Sequence, residues 1–323
     1  MILATRILAI LAGVVGALPA WSQAYPSKPV RLVVGFAAGG ATDIMARMIA
    51  KPMSDKLGQQ VIVDNRPGAG GMTGTDLVAK SAPDGYTLLM GASSNLVMNV
   101  ALSEKLPFDI DKDLVPIALV SRSPTILFVH PSFPAKSLAE LIGVVKSNPD
   151  KFTYGSAGSG SITHIIGESF LRAAGGLKVL HVAYRGAGPT VADLVAGHIH
   201  MAFDGMTSYL SHGPSGALRA IAITPRRLPQ APDVPSFAEA GLPGFEGYTW
   251  NAVLAPAGTP RTVVERLSAE VNDALKHADV TARFASLGVE SLIGSTPEST
   301  DAFGKAERAK WVPLVRAMGI KLD

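Results

Sequence analysis

The 323-residue chain contains no cysteine. That excludes disulfides, thiolate-bound zinc, a cysteine nucleophile and a lipid anchor on an N-terminal cysteine. An excess of charge of one sign is also lacking: 29 Lys and Arg stand against 26 Asp and Glu, a net charge of +3. So even a balance gives no support for nucleic-acid binding. No Gly-x-Ser-x-Gly occurs, so an α/β-hydrolase nucleophile elbow has no candidate. No Gly-x-x-x-x-Gly-Lys-Ser/Thr occurs, so a nucleotide P-loop is absent, and Gly68-Ala69-Gly70-Gly71-Met72-Thr73 misses the dinucleotide fingerprint at its last position. His198 and His200 can share a strand face, but no third ligand accompanies them. Neither a metal nor a cofactor is therefore expected.

Residues 1–24 carry one early charge, Arg6, an apolar run from Ile7 to Leu18, and Ser22-Gln23-Ala24 as a small-x-small cleavage site. This reads as a secretory signal peptide cut after Ala24. The run is too short to span a bilayer, and nothing after it reaches about eighteen uninterrupted apolar residues. A mature chain of about 300 residues suits two domains better than one. Without disulfides, an exported protein must be held by its core, and a hydrophobic content of 47% with 33 glycines fits close α/β packing.

Strand and helix patterns alternate almost throughout, which predicts parallel sheets covered by helices on both faces. One unit occurs twice: strand, glycine turn and helix at 32–48, and again at 152–170. The turns are Ala38-Gly39-Gly40 and Gly158-Ser159-Gly160. A doubly wound sheet binds its ligand at the carboxyl ends of its strands. The expected fold is therefore α/β, with two doubly wound lobes joined by a hinge around one cleft. Residues 25–124 and 225–323 are assigned to the first lobe and 125–224 to the second. The runs 125–129 and 218–223 are the expected crossing strands, residues 228–245 read as a long surface loop, and Pro313 as a kink or break in the last helix.

A helix start has N–H groups without an internal partner and the positive end of the helix dipole, so a strand–glycine–helix junction suits a carboxylate. Ala38, Gly39 and Gly40 allow close approach to the backbone, and Phe36 and Trp250 can wall a cleft or sit in the core. Asp43 would repel an anion directly, so its expected task is to cap N–H groups and hold the turn. The second turn offers the N–H groups of its glycines, Gly158 among them, beside Ala157, and hydroxyls of Ser156, Ser159, Ser161 and Thr163. His164 follows, able to donate to a ligand or only to local backbone. Ser93 lies beyond the third strand, Tyr184 and Arg185 end a later one, and Asp204 ends another. Asp204 can accept from a ligand hydroxyl, amide or ammonium, or cap a helix. A competing reading is a secreted serine hydrolase using Ser156 or Ser161 with His164, but it lacks a third orienting group.

Several stretches together resemble the Bug-type solute receptors of the tripartite tricarboxylate transporter family. They are Tyr25-Pro26-Ser27-Lys28-Pro29-Val30-Arg31, Phe36-Ala37-Ala38-Gly39-Gly40-Ala41-Thr42-Asp43, Asn65-Arg66-Pro67-Gly68-Ala69-Gly70-Gly71, Pro83-Asp84-Gly85-Tyr86-Thr87-Leu88, Tyr154-Gly155-Ser156-Ala157-Gly158-Ser159-Gly160-Ser161, Tyr184-Arg185-Gly186 and Leu254-Ala255-Pro256-Ala257-Gly258-Thr259-Pro260. The resemblance implies a two-lobed periplasmic binding protein of the type II kind. Such a receptor closes like a flytrap on a small carboxylate through the loops at 36–43 and 155–164. It also implies delivery to the membrane permease subunits of a tripartite transporter; a monomer is expected. A receptor that reports to a signalling ectodomain would share these motifs. Two positions depart from the family pattern: Gly35 stands where Pro is frequent, and Ser94-Asn95-Leu96-Val97-Met98-Asn99-Val100 replaces a His and Asn-Pro segment that shapes the distal pocket.

Overall fold

Successive side chains of a strand point to opposite faces of its sheet, and the buried residues follow that rule closely. In the computed structural model, which describes residues 25–103, 106–184 and 186–320, Val30, Leu32 and Val34 enter one core cluster while Val33 enters another. Ile126 and Phe128 likewise face away from Leu127 and Val129. Both faces of each sheet are therefore covered, which is why these strands read as continuous apolar runs. Residues 1–24, read from the sequence as a signal peptide, lie outside the described residues, as does Arg185.

The strands, in chain order, are β1 (Val30–Val34), β2 (Val61–Asn65), β3 (Thr87–Ala92), β4 (Leu114–Ser123), β5 (Thr125–Val129), β6 (Thr153–Ser156), β7 (Leu180–Ala183), β8 (Met201–Asp204), β9 (Arg219–Thr224), β10 (Thr249–Pro256) and β11 (Glu290–Ser291). They form a six-stranded sheet, β11-β4-β10-β3-β1-β2, and a five-stranded sheet, β7-β6-β8-β5-β9. The fold is α/β and two-lobed.

The sheets are mixed and not wholly parallel. β1 pairs in parallel with β2 and β3, and β6 with β7 and β8. In contrast, β10 runs antiparallel to β3 and β4, and β5 antiparallel to β8 and β9. The reason is the chain path. β10 and β5 each begin where the chain arrives from the other sheet. They start at the carboxyl ends of the antiparallel strands beside them, Asn251 opposite Ala92 and Ile126 opposite Asp204.

The runs 125–129 and 218–223 do not cross between lobes; each lies within the second sheet, as β5 and most of β9. The crossings are at Pro124, between β4 and β5, and along 225–248. That second segment is not the surface loop that its Pro and Gly content suggests. Ala231, Val234, Phe237 and Phe245 are buried against the second sheet, and Ile223 donates its N–H to Pro235 O and accepts from Phe237 N–H, on either side of Ser236. Its packing attaches it to the second lobe, away from the division at 225. The helix Pro297–Ala317 continues through Pro313. Trp311 and Val315 on either side are buried in the first-lobe core, and that burial outweighs the one hydrogen bond a proline forfeits near a helix end.

That helix is pinned to β10 by a buried carboxylate. Glu307 accepts from Trp250 Nε1 and from Tyr248 Oη, both at 2.9 Å. Replacing Glu307 with alanine leaves a buried indole N–H without a partner. The expected cost is about 3 kcal/mol in urea unfolding, and a value under about 1 kcal/mol would show that other contacts hold the helix.

Candidate ligand-binding cleft

A cleft of about 1280 Å³ opens between the sheets, at the ends of the strands where the chain crosses. From the first lobe, Phe36, Ala38 and Gly40 line it, followed by the start of the helix Ala41–Leu57. Gly40 is the N-cap and gives that helix no side-chain cap, so the first N–H groups are not covered by the residue before them. Asp43 stands behind the turn, 2% exposed, and does not line the cleft. It accepts from Gly39 N–H, Arg47 Nε and Asn65 Nδ2, each at 2.9 Å. Burial by itself raises its pKa, but these bonds and the Arg47 charge outweigh burial and hold it below the usual carboxylate value. Gly39 (φ +82°) takes the left-handed conformation beside it.

The turn after β2 forms a further wall through Ala69 and Gly70. Phe36 lies over it, since a Cβ added to Gly71 would come within 2.8 Å of Phe36 Cζ. Asn99 donates to Gly70 O (2.7 Å), and Asn95 donates to Thr75 Oγ1 (2.7 Å) while accepting from Ala92 N–H (2.8 Å). Ser94–Met98 is a wide π-helical turn, so the segment that departs from the family pattern fastens this wall. Ser93, just before it, lines the cleft. It is 1% exposed, and its Oγ has no protein hydrogen-bond partner.

From the second lobe, Ala157, Ser159, Ser161 and Thr163 line the cleft, with the start of the helix Ile162–Ala173. Ser161 caps that helix by accepting from His164 N–H, and Thr163 Oγ1 accepts from Ala157 N–H at 2.9 Å. His164 does not line the cleft; its Nδ1 accepts from Gly160 N–H (3.0 Å). Its ring stacks on His181 at 3.8 Å, and His181 Nε2 meets Ser156 Oγ at 2.7 Å. Burial lowers the pKa of His164. Burial, then the neighbouring His164, lowers His181 to about 4. Both rings are neutral at pH 7 and serve as a prop under the loop. Ser156 is fully buried against that prop, and Gly158 (φ +130°) shapes the turn without lining the cleft. Tyr184 also turns away from the cleft and donates to Asp193 Oδ2 (2.7 Å). Burial, then Asp193, pushes its phenol up to about 12. Asp204 does line the cleft, accepting from Gly205 N–H (2.8 Å) and Ser208 Oγ (2.6 Å), and burial raises its pKa.

Of the candidate residues, then, Phe36, Ala38, Gly40, Ser93, Ala157, Ser159, Ser161 and Asp204 meet at the cleft. Gly39, Asp43, Ser156, Gly158, His164 and Tyr184 stand behind it, shaping the loops. The hydrolase constellation does not form. Ser161 Oγ meets the backbone of His164 and not its ring, and Ser156 is paired with His181 out of reach of a substrate. Sequence reasoning missed Asn251, whose side chain donates to Thr42 Oγ1 of the first loop at 3.2 Å in the cleft wall. Asn251 lies in a strand with no alternating pattern to announce it. Trp250, read as wall or core, is both: it lines the cleft and is 2% exposed.

No Lys, Arg or His occurs among the described lining residues; the charged ones are Asp204 and Asp76, and Asp76 is paired with Lys80 at 2.6 Å. Such a cleft holds an anion by neutral donors and helix starts.

Similarity to known proteins points to one family. The profile described as "Tripartite tricarboxylate transporter family receptor" matches residues 45–320. Protein BugT of Bordetella pertussis is 39% identical over 98% of this chain and 99% of its own. An R. palustris protein solved with adipate superimposes with a TM-score of 0.83 at 33% identity, covering 92% of this chain and 99% of that one. MatC from Rhodopseudomonas palustris, solved with bound malate, gives 0.80 at 35% identity over 90% and 100%.

Proposed function

Because the chain belongs to the receptor family of the tripartite tricarboxylate transporters, we propose that it captures a small carboxylate in the cleft and delivers it to the membrane permease subunits of such a transporter. One observation carries this reading: two helix starts, at Gly40–Thr42 and Ser161–Thr163, converge from opposite lobes on a lining without a described cation. Relatives solved with adipate and malate support it. The protein works as a monomer in the periplasm after losing residues 1–24. Its lobes are 25–124 with the C-terminal part, and 125–224 extended by the packed segment to 248. They turn about Pro124 and the return segment, and a ligand that favours the closed form draws the population to it.

Calorimetry against a panel of mono-, di- and tricarboxylates is expected to find one acid with a Kd of about 1 μM, roughly −8 kcal/mol. Native mass spectrometry of the freshly purified protein should show the same acid retained. Absence of heat for every acid at millimolar concentration would overturn the proposal.

A further inference from the structure

Asp204 differs from everything else in the cleft. A carboxylate offers about four acceptor sites, and Gly205 N–H and Ser208 Oγ occupy two. The other acid of the wall, Asp76, has Lys80; Asp204 has no Lys or Arg within ion-pair distance among the described residues. Burial desolvates it, with His212 as a neighbouring basic side chain. A desolvated carboxylate without a cation is costly unless donors satisfy it. The first lobe supplies a second unmet group to the same cleft, the buried and unpartnered Ser93 Oγ. A hydroxyl both donates and accepts. One group is thus an acceptor wanting donors, and the other can take or give a proton.

We infer that Asp204 and Ser93 read a hydrogen-bond-donating substituent on the bound acid, a hydroxyl, amide or ammonium. The cleft then selects hydroxy and amino acids over plain chains, and disfavours a second carboxylate beside Asp204. This rests on the carboxylate-receptor reading and narrows it. A donor on the ligand satisfies Asp204 at the moment the cleft closes. A second carboxylate at that place would add like charge to a site with no described cation to offset it.

Matched series decide the question by calorimetry on the wild type: succinate, malate and aspartate, and butyrate, 2-hydroxybutyrate and 2-aminobutyrate. In the series that binds, the substituted acid is expected to bind at least tenfold tighter than the plain one. Asp204→Asn should narrow the preference for the amino acid to within threefold and tighten binding of succinate, a gain that a merely structural residue would not produce. Ser93→Ala should weaken the hydroxy acid about tenfold. If Asp204→Asn does not fold, the wild-type ratio and Ser93→Ala carry the test. Equal affinity for plain and substituted acids would overturn the inference and leave the receptor reading standing; no binding in either series would overturn it as well, while the wider acid panel alone decides the receptor reading.

Discussion

Asp43→Ala is expected to weaken ligand binding at least about a hundredfold, close to 3 kcal/mol, although Asp43 does not line the cleft. Its carboxylate ties the turn (Gly39), the helix (Arg47) and the next strand (Asn65) into one unit. Without it Gly39, already in a left-handed conformation, loses the acceptor of its N–H, and the helix start that faces the cleft is no longer held in one orientation. Asn65 keeps its bond to Phe36 O (3.0 Å), so the strand end survives and the damage is local. Arg47 is half exposed and solvates itself, so the loss of folding stability should be about 2 kcal/mol, smaller than the loss in binding. Calorimetry and urea unfolding on one variant separate the two effects. Unchanged affinity would show that the turn holds its shape unaided. Because the Asp43 pKa is depressed, its contribution is complete above the ordinary carboxylate value near pH 4 and is lost only as pH falls below that.

The histidine prop acts at higher pH. His164 and His181 are held neutral, with pKa values below those of the unfolded chain. Between about pH 6.5 and pH 4 the unfolded chain therefore binds more protons than the folded one, and stability rises with pH across that window. The groups facing the pair are Tyr154, Ser156 and Glu168, whose carboxylate is 4.0 Å from His164 Nε2. Part of His181 reaches solvent, so the expected loss from pH 7 to pH 4.5 is discounted to about 1–2 kcal/mol. Affinity should fall with it. Protonated His164 has no lone pair left on Nδ1 for Gly160 N–H, and Gly160 is in the cleft wall. His181→Gln should flatten the stability profile between pH 4.5 and 6.5, measured by urea unfolding at fixed ionic strength. An unaltered slope would assign the acid limb to other groups.

Much of this site is legible in the chain because its elements are local. A β-branched run, a glycine turn and a helix start within some fifteen residues state where a strand ends and where unpaired N–H groups begin. The elements that escape such reading are those whose partners are distant. β10 is an inner strand of its sheet, yet its residues include Asn251, Ala252 and Ala255. Its strand character comes from pairing with β3 and β4 on either side and not from its own propensity. The helices Met206–His212 and Ala278–Ser286 are short and escape for the same reason. The segment 225–248 looks like surface because Pro and Gly dominate it, but its few apolar side chains find the second sheet.

By itself the sequence pointed to two glycine turns, each joining a strand to a helix, as candidate anion sites, and to Asp43 as the brace of the first. It also determined the family, through motifs spread along the mature chain. Only the tertiary structure decided which side chains face the ligand. At a turn, a side chain points toward whichever partner satisfies it, and those partners lie elsewhere in the chain. Ser156 turns inward because His181 is there, His164 because it stacks on the same ring, and Tyr184 because Asp193 accepts its hydroxyl. Ser93 and Asp204 face the cleft with bonding capacity left over, and that remainder, which no local pattern encodes, is what a ligand can meet.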